Sequence, residues 1–517
     1  PIRSRVQSPA ITSTVRSLAS RCAQRWPRRE VIDWRWSYSG AAGVHSSGVL
    51  NNPSNMLHEL NLKLMFMYVY FQVEACLAEL NLCGATLRRV ANVFERELTR
   101  GLRQQPSSLQ MENTYVPELP DGTEEGVFLA LDLGGTNFRV LLVELRGGQM
   151  LREDVKQYHI SDELRLGPGE DLFNFLADCV QDFVRSEGME DQEMSLGFTF
   201  SFPMKQHSIS SGELITWTKS FKCGGMGGVD VAALLQRCLH DRRLKVTVRV
   251  LLNDTTGTLV AGAHQDRRVG IGVILGTGSN GCYMESASAV THWEAARRGR
   301  GSAVCVDIEW GAFGDNGCLD FMRTDLDREV DARSLLVGSF TFLRHFDIIR
   351  KYIGGKYLGD LVRAALARLA GAGLLPAAPP PGTISSEHVS FFEEDNENGS
   401  TTRTLAALRS ACPETAAAWS DADALVAQHA ARMCSNRAAQ LVSVCVAVLV
   451  QRMARPHVVV AVDGSVFKRH PRIRGLMEKY IALLQPYEFS LMGAEDGSGK
   501  GSALTAAIAA RIAAQDN

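Results

Sequence analysis

Two stretches of this chain read as one device used twice. FLALDLGGTNFRVLLVEL (residues 128–145) and GIGVILGTGSNGCYME (270–285) each run from an apolar strand through a glycine-rich turn into apolar residues again. Apolar strands joined by such a turn form a β-hairpin. Two of them predict duplicated halves that hold the phosphates of a nucleotide between two domains. Length agrees: 517 residues exceed the size at which a single core stops growing.

The rest of the pattern mixes strand and helix. Leu77, Leu80, Leu82, Leu87, Val90, Phe94, Leu98 and Leu102 recur mostly at three- and four-residue steps, the signature of an amphipathic helical region. Apolar runs at 195–202, 246–252, 269–275 and 457–464 predict further strands. Helical patterns fall at 172–184, after about residue 360 and over about 421–454, while the prolines of GAGLLPAAPPPGTISSEH preclude regular structure. Such mixing is expected of an α/β architecture.

Charge excludes some partners. Lys+Arg 55 against Asp+Glu 57 leaves a net charge of -2, which gives no reason to expect nucleic acid or an acidic membrane. The 12 cysteines are scattered without a C-x-x-C pair, as in reduced thiols of a cytosolic-type compartment, and structural zinc is not expected. LMFMYVYF (64–71) is too short to span a bilayer, so no transmembrane segment is expected. Residues 1 to 40 hold only Glu30 and Asp33 as acids among many Arg and Ser, the composition of a transit peptide. The preferred reading of 1–72 is an unassigned leader, disordered or misassigned to the chain.

Several motifs carry chemistry. Asp132 opens DLGGTN at a strand end, where its carboxylate suits Mg²⁺ beside phosphates through water; the alternative is a tight hairpin without ligand. Gly276, Gly278 and Gly281 match G-x-G-x-x-G, but CYMESASAV after them looks like strand where a dinucleotide-binding helix should open, so an NAD oxidoreductase is a distant reading. GSGKGSAL (497–504) fails the P-loop pattern at Ala494 and Gly501. Asn253 and Asp254 close an apolar strand before a Thr/Gly-rich helix entry, as a general base or as an N-cap. Glu309 beside Trp310 and near Phe313 suggests a carboxylate held against apolar rings.

In order along the chain, DLGGTNFRV, LGFTFSFP, ITWTKSF, LNDTTGT, ILGTGSN, EWGAFGDNGCLD, VAVDGSVFKRHP and AEDGSGKGSAL closely resemble the successive signatures of hexokinases, from about residue 75 to the end. GAFGDNGCLD and IGGKYLGD resemble the animal hexokinase or glucokinase type, with one catalytic unit. The resemblance implies an actin-like ATPase fold of duplicated ribonuclease-H-like cores, with a small domain over 73–253 and a large one over 254–517. It implies phosphorylation of the hexose 6-hydroxyl by ATP with Mg²⁺, the first step of glycolysis, on glucose and on mannose or fructose. Asp254 is then the base and Lys219 offsets phosphoryl charge. Ser201, Thr218, Lys219, Asn253, Asn280 and Glu309 match sugar-binding positions. Asp132, Gly134, Gly135, Thr136, Asn137 and Thr277 match the phosphate loops. Gly355 and Lys356 match an ATP contact, and Gly464 and Ser465, with Gly497, Ser498, Gly499, Lys500 and Gly501, match adenosine-side segments. A cytoplasmic monomer is expected, and the leader keeps a mitochondrial address open.

One segment departs from the family. Before IGGKYLG, hexokinases carry an Asn-Pro-Gly turn and then a sugar-binding Glu. Here SLLVGSFTFLRHFDIIRK lacks the turn, adds about seven residues and sets Arg350 where the Glu belongs. Loss of one charged hydrogen bond costs about 1.5–3 kcal/mol, and a guanidinium cannot accept a hydrogen bond. Retained intronic sequence is the preferred explanation; a sugar sensor or scaffold without efficient turnover is the alternative. Of the basic cluster Arg344, Arg350, Lys351 and Lys356, only the part from Gly355 is expected to meet ATP.

Overall fold

Apolar side chains at helical steps build the first elements. The computed structural model describes residues 68–134, 137–218, 221–291, 303–333 and 348–515, so Gly135, Thr136, Lys219, Arg344 and most of the expected leader lie outside the described residues. Residues 68–72, assigned to the leader from sequence, belong instead to helix α1 (68–77). Helix α2 (Gly84–Leu102) buries the expected stripe of Leu87, Val90, Phe94, Leu98 and Leu102.

Strands follow the predicted runs closely. After the short β1 (Glu112–Asn113) come β2 (Gly126–Leu133), β3 (Asn137–Arg146), β4 (Gln149–His159), helix α3 (Gly169–Ser186) and β5 (Met194–Phe200). A small hairpin, β6 (Met204–Ser208) with β7 (Ser211–Leu214), precedes α4 (Val231–Asp241) and β8 (Val246–Leu252). They form a five-stranded sheet of order β4-β3-β2-β5-β8. The pairs β4/β3 and β3/β2 are antiparallel, whereas β2/β5 and β5/β8 are parallel. Parallel inner strands bury both faces, which is why β5 and the end of β8 read as unbroken apolar runs.

The second half repeats the plan. Helix α5 (Asp254–Gln265) leads to β9 (Val269–Leu275), β10 (Ser279–Ser286) and β11 (Ala303–Asp307), then to α6 (Asp325–Arg333), α7 (Ile348–Ile353), α8 (Gly355–Gly371) and the 33-residue α9 (Asp421–Met453). The chain finishes with β12 (His457–Asp463), α10 (Ile473–Leu484), β13 (Glu488–Gly493) and α11 (Gly497–Gln515). Their sheet has the order β1-β11-β10-β9-β12-β13, antiparallel from β11 to β9 and parallel from β9 to β13. β9 through β13 therefore reproduce β2, β3, β4, β5 and β8, and the sequence echo marks the first hairpin of each half.

Helix α9 is long and apolar enough to cross a membrane by length and composition, a feature the sequence expectation overlooked. Yet 89% of its most apolar window is buried inside the protein, which makes it a core helix. Tyr68–Asn396 and Thr401–Asn517 form one compact unit, so the division expected at 253/254 falls inside it. Helix α11, the last in sequence, packs on β2 and β5 of the first sheet.

The α5–α11 contact is a glycine crossing. A Cβ on Gly501 would stand 1.9 Å from the Gly257 carbonyl oxygen. Backbone cannot yield as a side-chain tip can, so the helices would have to separate. Gly501→Ala should lower stability by about 1–3 kcal/mol in urea titrations; an unchanged midpoint would show that the crossing is slack.

Candidate functional site

The end of β8 sets the first site residue. Leu252 is the last strand residue, and Asn253 Oδ1 accepts the backbone N–H of Thr255 (3.0 Å) to cap α5. The cap reading holds, and capping by Asn253 leaves Asp254 as the first residue of α5. Asn253 also turns its Nδ2 to Glu309 Oε1 (3.1 Å). Asn280, near the start of β10, donates from Nδ2 to the same oxygen (3.1 Å) and to Asp307 Oδ1 (2.8 Å). Three separate stretches of chain thus converge on one carboxylate.

Glu309 is held in a left-handed conformation, φ 52° and ψ 50°, which is uncommon for a residue with a side chain. What holds it is Trp310, fully buried, whose Nε1 donates to Ser279 Oγ (3.1 Å) and whose backbone N–H donates to Asn280 Oδ1 (3.3 Å). The expectation that Glu309 rests against apolar rings is corrected. Trp310 and Phe313 point into the core and pack edge-on with Phe94, while amide groups hold the carboxylate. Burial, then Asp307 and Asp254 nearby, push the Glu309 carboxyl well above its usual range, against the opposing pull of Arg350.

Ser201 and Thr218 follow β5 and β7 and are buried. An aromatic cluster positions their segments: Phe202 meets Trp217 (ring centroids 4.8 Å apart) and Phe221 (5.2 Å), and Trp217 stacks on Phe221 (5.6 Å). Phe202 also lines a small cavity with Glu112, Thr114, Met204, Gln206, Asn253, Asp307 and Glu309.

On the nucleotide side, the described residues form a connected series. The turn at 276–278 closes with Gly276 N–H on Gly278 O (2.9 Å), and the start of α8 docks on it through Gly355 N–H to Gly276 O (2.8 Å) and Lys356 N–H to Thr277 O (3.1 Å). Gly464, at φ 118°, lies so close that a Cβ would stand 2.4 Å from Leu275 O. Ser465 opens the short helix after it. Asp463, which sequence reasoning missed, ties this turn to α11 by accepting from Gly464 N–H (2.6 Å) and Gly497 N–H (3.2 Å). Ser498 Oγ donates to Asp132 Oδ2 (2.8 Å), and Arg139 pairs with the same oxygen. Gly134 follows β2 and Asn137 opens β3.

Three expected ligand positions serve packing or pairing. Gly499 sits against Leu141, Lys500 pairs with Glu153 (2.9 Å), and Gly501 lies under Gly257 inside α11. The G-x-G-x-x-G reading fails for the reason suspected: β10 follows the turn as an antiparallel strand, and Gly281 is glycine because a Cβ would stand 2.4 Å from the Trp310 ring.

The segment that departs from the family is firmly packed where described. A Cβ on Gly278 would meet Arg350 Nε at 2.8 Å, so the guanidinium lies against the phosphate-side turn. Lys351 is buried and paired with Asp331, and Lys356 is exposed. The three described basic residues, Arg350, Lys351 and Lys356, do not act as one grip.

Duplicated sheets of this strand order define the actin-like ATPase fold. Two family models, both described as Hexokinase, match residues 72–264 and 270–508. The chain belongs to the hexokinase family. It is 38% identical to Hexokinase-1 of Mus musculus over 463 residues, which cover 85% of this chain and 46% of that protein. It is 36% identical to Hexokinase-3 of Homo sapiens over 449 residues, 85% of this chain and 47% of the relative. The chain thus spans about half the length of these curated relatives. Among solved structures, the hexokinase of Schistosoma mansoni complexed with glucose superposes with a TM-score of 0.77 at 34% identity, covering 86% of this chain and 99% of that one.

Proposed function

We propose that this chain is an ATP-dependent hexose 6-kinase that converts glucose to glucose 6-phosphate, with mannose and fructose as further substrates. The observation that carries the reading is the hydrogen-bonded group Asn253, Asn280 and Glu309 at the entry of α5, with Asp254 beside it. Side-chain amides gathered around one carboxyl group offer both donors and acceptors, which suits an array of sugar hydroxyls. Asp254 is partly accessible and takes the proton of the 6-hydroxyl as that oxygen attacks phosphorus. Ser201 and Thr218 orient the other hydroxyls, and Lys219 supplies positive charge. Gly464, whose neighbours leave no room for a Cβ, brings bare backbone to the phosphate side, and the Arg139 and Ser498 bonds to Asp132 both fall on Oδ2, which suits a carboxylate that meets Mg²⁺ through water. When bound, ATP supplies the phosphoryl group and Mg²⁺ neutralises its charge. Eleven free cysteines among the described residues support a reducing, cytoplasmic setting.

Purified protein with glucose, ATP and Mg²⁺ in a coupled assay should form sugar phosphate. If folded wild-type protein forms none and Arg350→Glu is equally silent, the proposal is overturned. No observation favours the sensor or scaffold reading over the enzyme.

A further inference from the structure

Asp307 has no place in the scheme above, yet it lies at its centre. It is the last residue of β11, 5% exposed, and its Oδ1 takes hydrogen bonds from Asn280 Nδ2 (2.8 Å) and Thr255 Oγ1 (3.1 Å). The same Asn280 amide donates to Glu309 Oε1, so one amide nitrogen bridges two carboxyl groups. Thr255 cannot satisfy both of its acceptors, because its hydroxyl has a single proton and its oxygen is also 2.9 Å from Asn253 Oδ1. The cluster holds more acceptors than donors, and a proton between the two carboxyls balances it.

We propose that Asp307 is a positioning residue that keeps a proton shared with Glu309, so that Glu309 presents a hydroxyl donor as well as an acceptor to the bound hexose. The inference rests on the sugar-site reading above. A hydrogen bond between the two carboxyl groups requires that proton, and contact between them is part of what raises Glu309. Burial, outweighing the hydrogen bonds from Asn280 and Thr255, pushes Asp307 up to about 7. The surroundings supply little opposing charge. Asp254 on α5 adds a like charge, and Cys305 on the same strand and Cys282 opposite on β10 are buried thiols. Glu112, the register partner on β1, is itself pushed to about 7 by burial, with Lys205 of β6 opposing. Arg350 on α7 is the cation whose pull on Glu309 is felt.

The sign of the pH dependence follows. Raised carboxyl pKa values mean that the folded chain holds protons which the unfolded chain has released, so stability falls as pH rises from about 4 towards about 7. Thermal melts without substrate should show Tm falling over that window in wild type and the fall reduced by about half in Asp307→Asn, with Glu112 responsible for a remainder. Glu309→Gln, which removes the other carboxyl, should flatten the profile likewise and decides the matter if Asp307→Asn does not fold. Glucose KM should rise by up to about tenfold per pH unit above the pair's upper titration in wild type and stay nearly flat in Asp307→Asn. Superimposable Tm profiles for wild type and the folded variants would overturn the shared proton whatever the kinetics show. Divergent Tm profiles in a protein that neither binds nor phosphorylates glucose would keep the carboxyl pair and overturn its role towards a sugar.

Discussion

Asp254→Asn should lower kcat for glucose phosphorylation by about 10²–10⁴-fold while glucose binding and Tm stay close to wild type. The separation of effects follows from the local structure. Helix α5 is capped by Asn253, not by Asp254, so the amide at the first helical position leaves the cap and its bond to Thr255 in place. Asn253, Asn280 and Glu309 also keep their mutual hydrogen bonds. The substitution removes the ability to take the hydroxyl proton, and with it the like charge beside Asp307 and Glu309. Steady-state kinetics and thermal melts on one preparation decide it: a loss under tenfold would remove Asp254 from the base role, and collapse of Tm would make it structural.

The second large effect lies away from the chemistry. Arg437 on α9 is fully buried and forms a two-pronged pair with Asp327 on α6, Nη1 to Oδ1 at 2.8 Å and Nη2 to Oδ2 at 2.7 Å. Tyr352 of α7 lies against the guanidinium, 4.7 Å from its ring centroid. Two helices, α6 and the Arg350-bearing α7, are therefore fastened to the core helix at one point. Asp327→Asn leaves a guanidinium in a dry interior without its counter-charge and should cost about 3–5 kcal/mol in urea unfolding. The double substitution Asp327→Leu with Arg437→Met should recover much of that loss, because desolvating the pair offsets most of its attraction. Recovery falls short by about 1 kcal/mol, since Asp327 Oδ2 also accepts from the Thr324 backbone N–H and hydroxyl, both at 2.8 Å. A single variant as stable as wild type would show that water reaches the site.

The site was partly legible before the structure. Strands 246–252 and 269–275 coincide with the predicted runs, because the end of the first and nearly the whole of the second are buried and carry unbroken apolar sequence that stops where the strand ends. Asp307 and Asp463 were missed, although each ends an apolar strand and Asp132 stands one residue before the end of another. That shared position, an acid at or next to the last residue of an inner strand, was the available signal. Trp310 was misread because adjacency in sequence was taken for adjacency in space. The left-handed turn at Glu309 sends consecutive side chains in opposite directions, one to the amides and one to the core.

The sequence by itself determined the duplicated strand and turn plan, the capped entry of α5 and membership of the family, since periodicity, capping and ordered motifs are local properties of the chain. Tertiary structure alone decided that Asp307 and Glu309 share Asn280, that Arg350 lies against Gly278, and that Gly501 of α11 serves a helix crossing. Those partnerships depend on the register of β10 against β11 and on the approach of helices distant in sequence, and no local pattern encodes either.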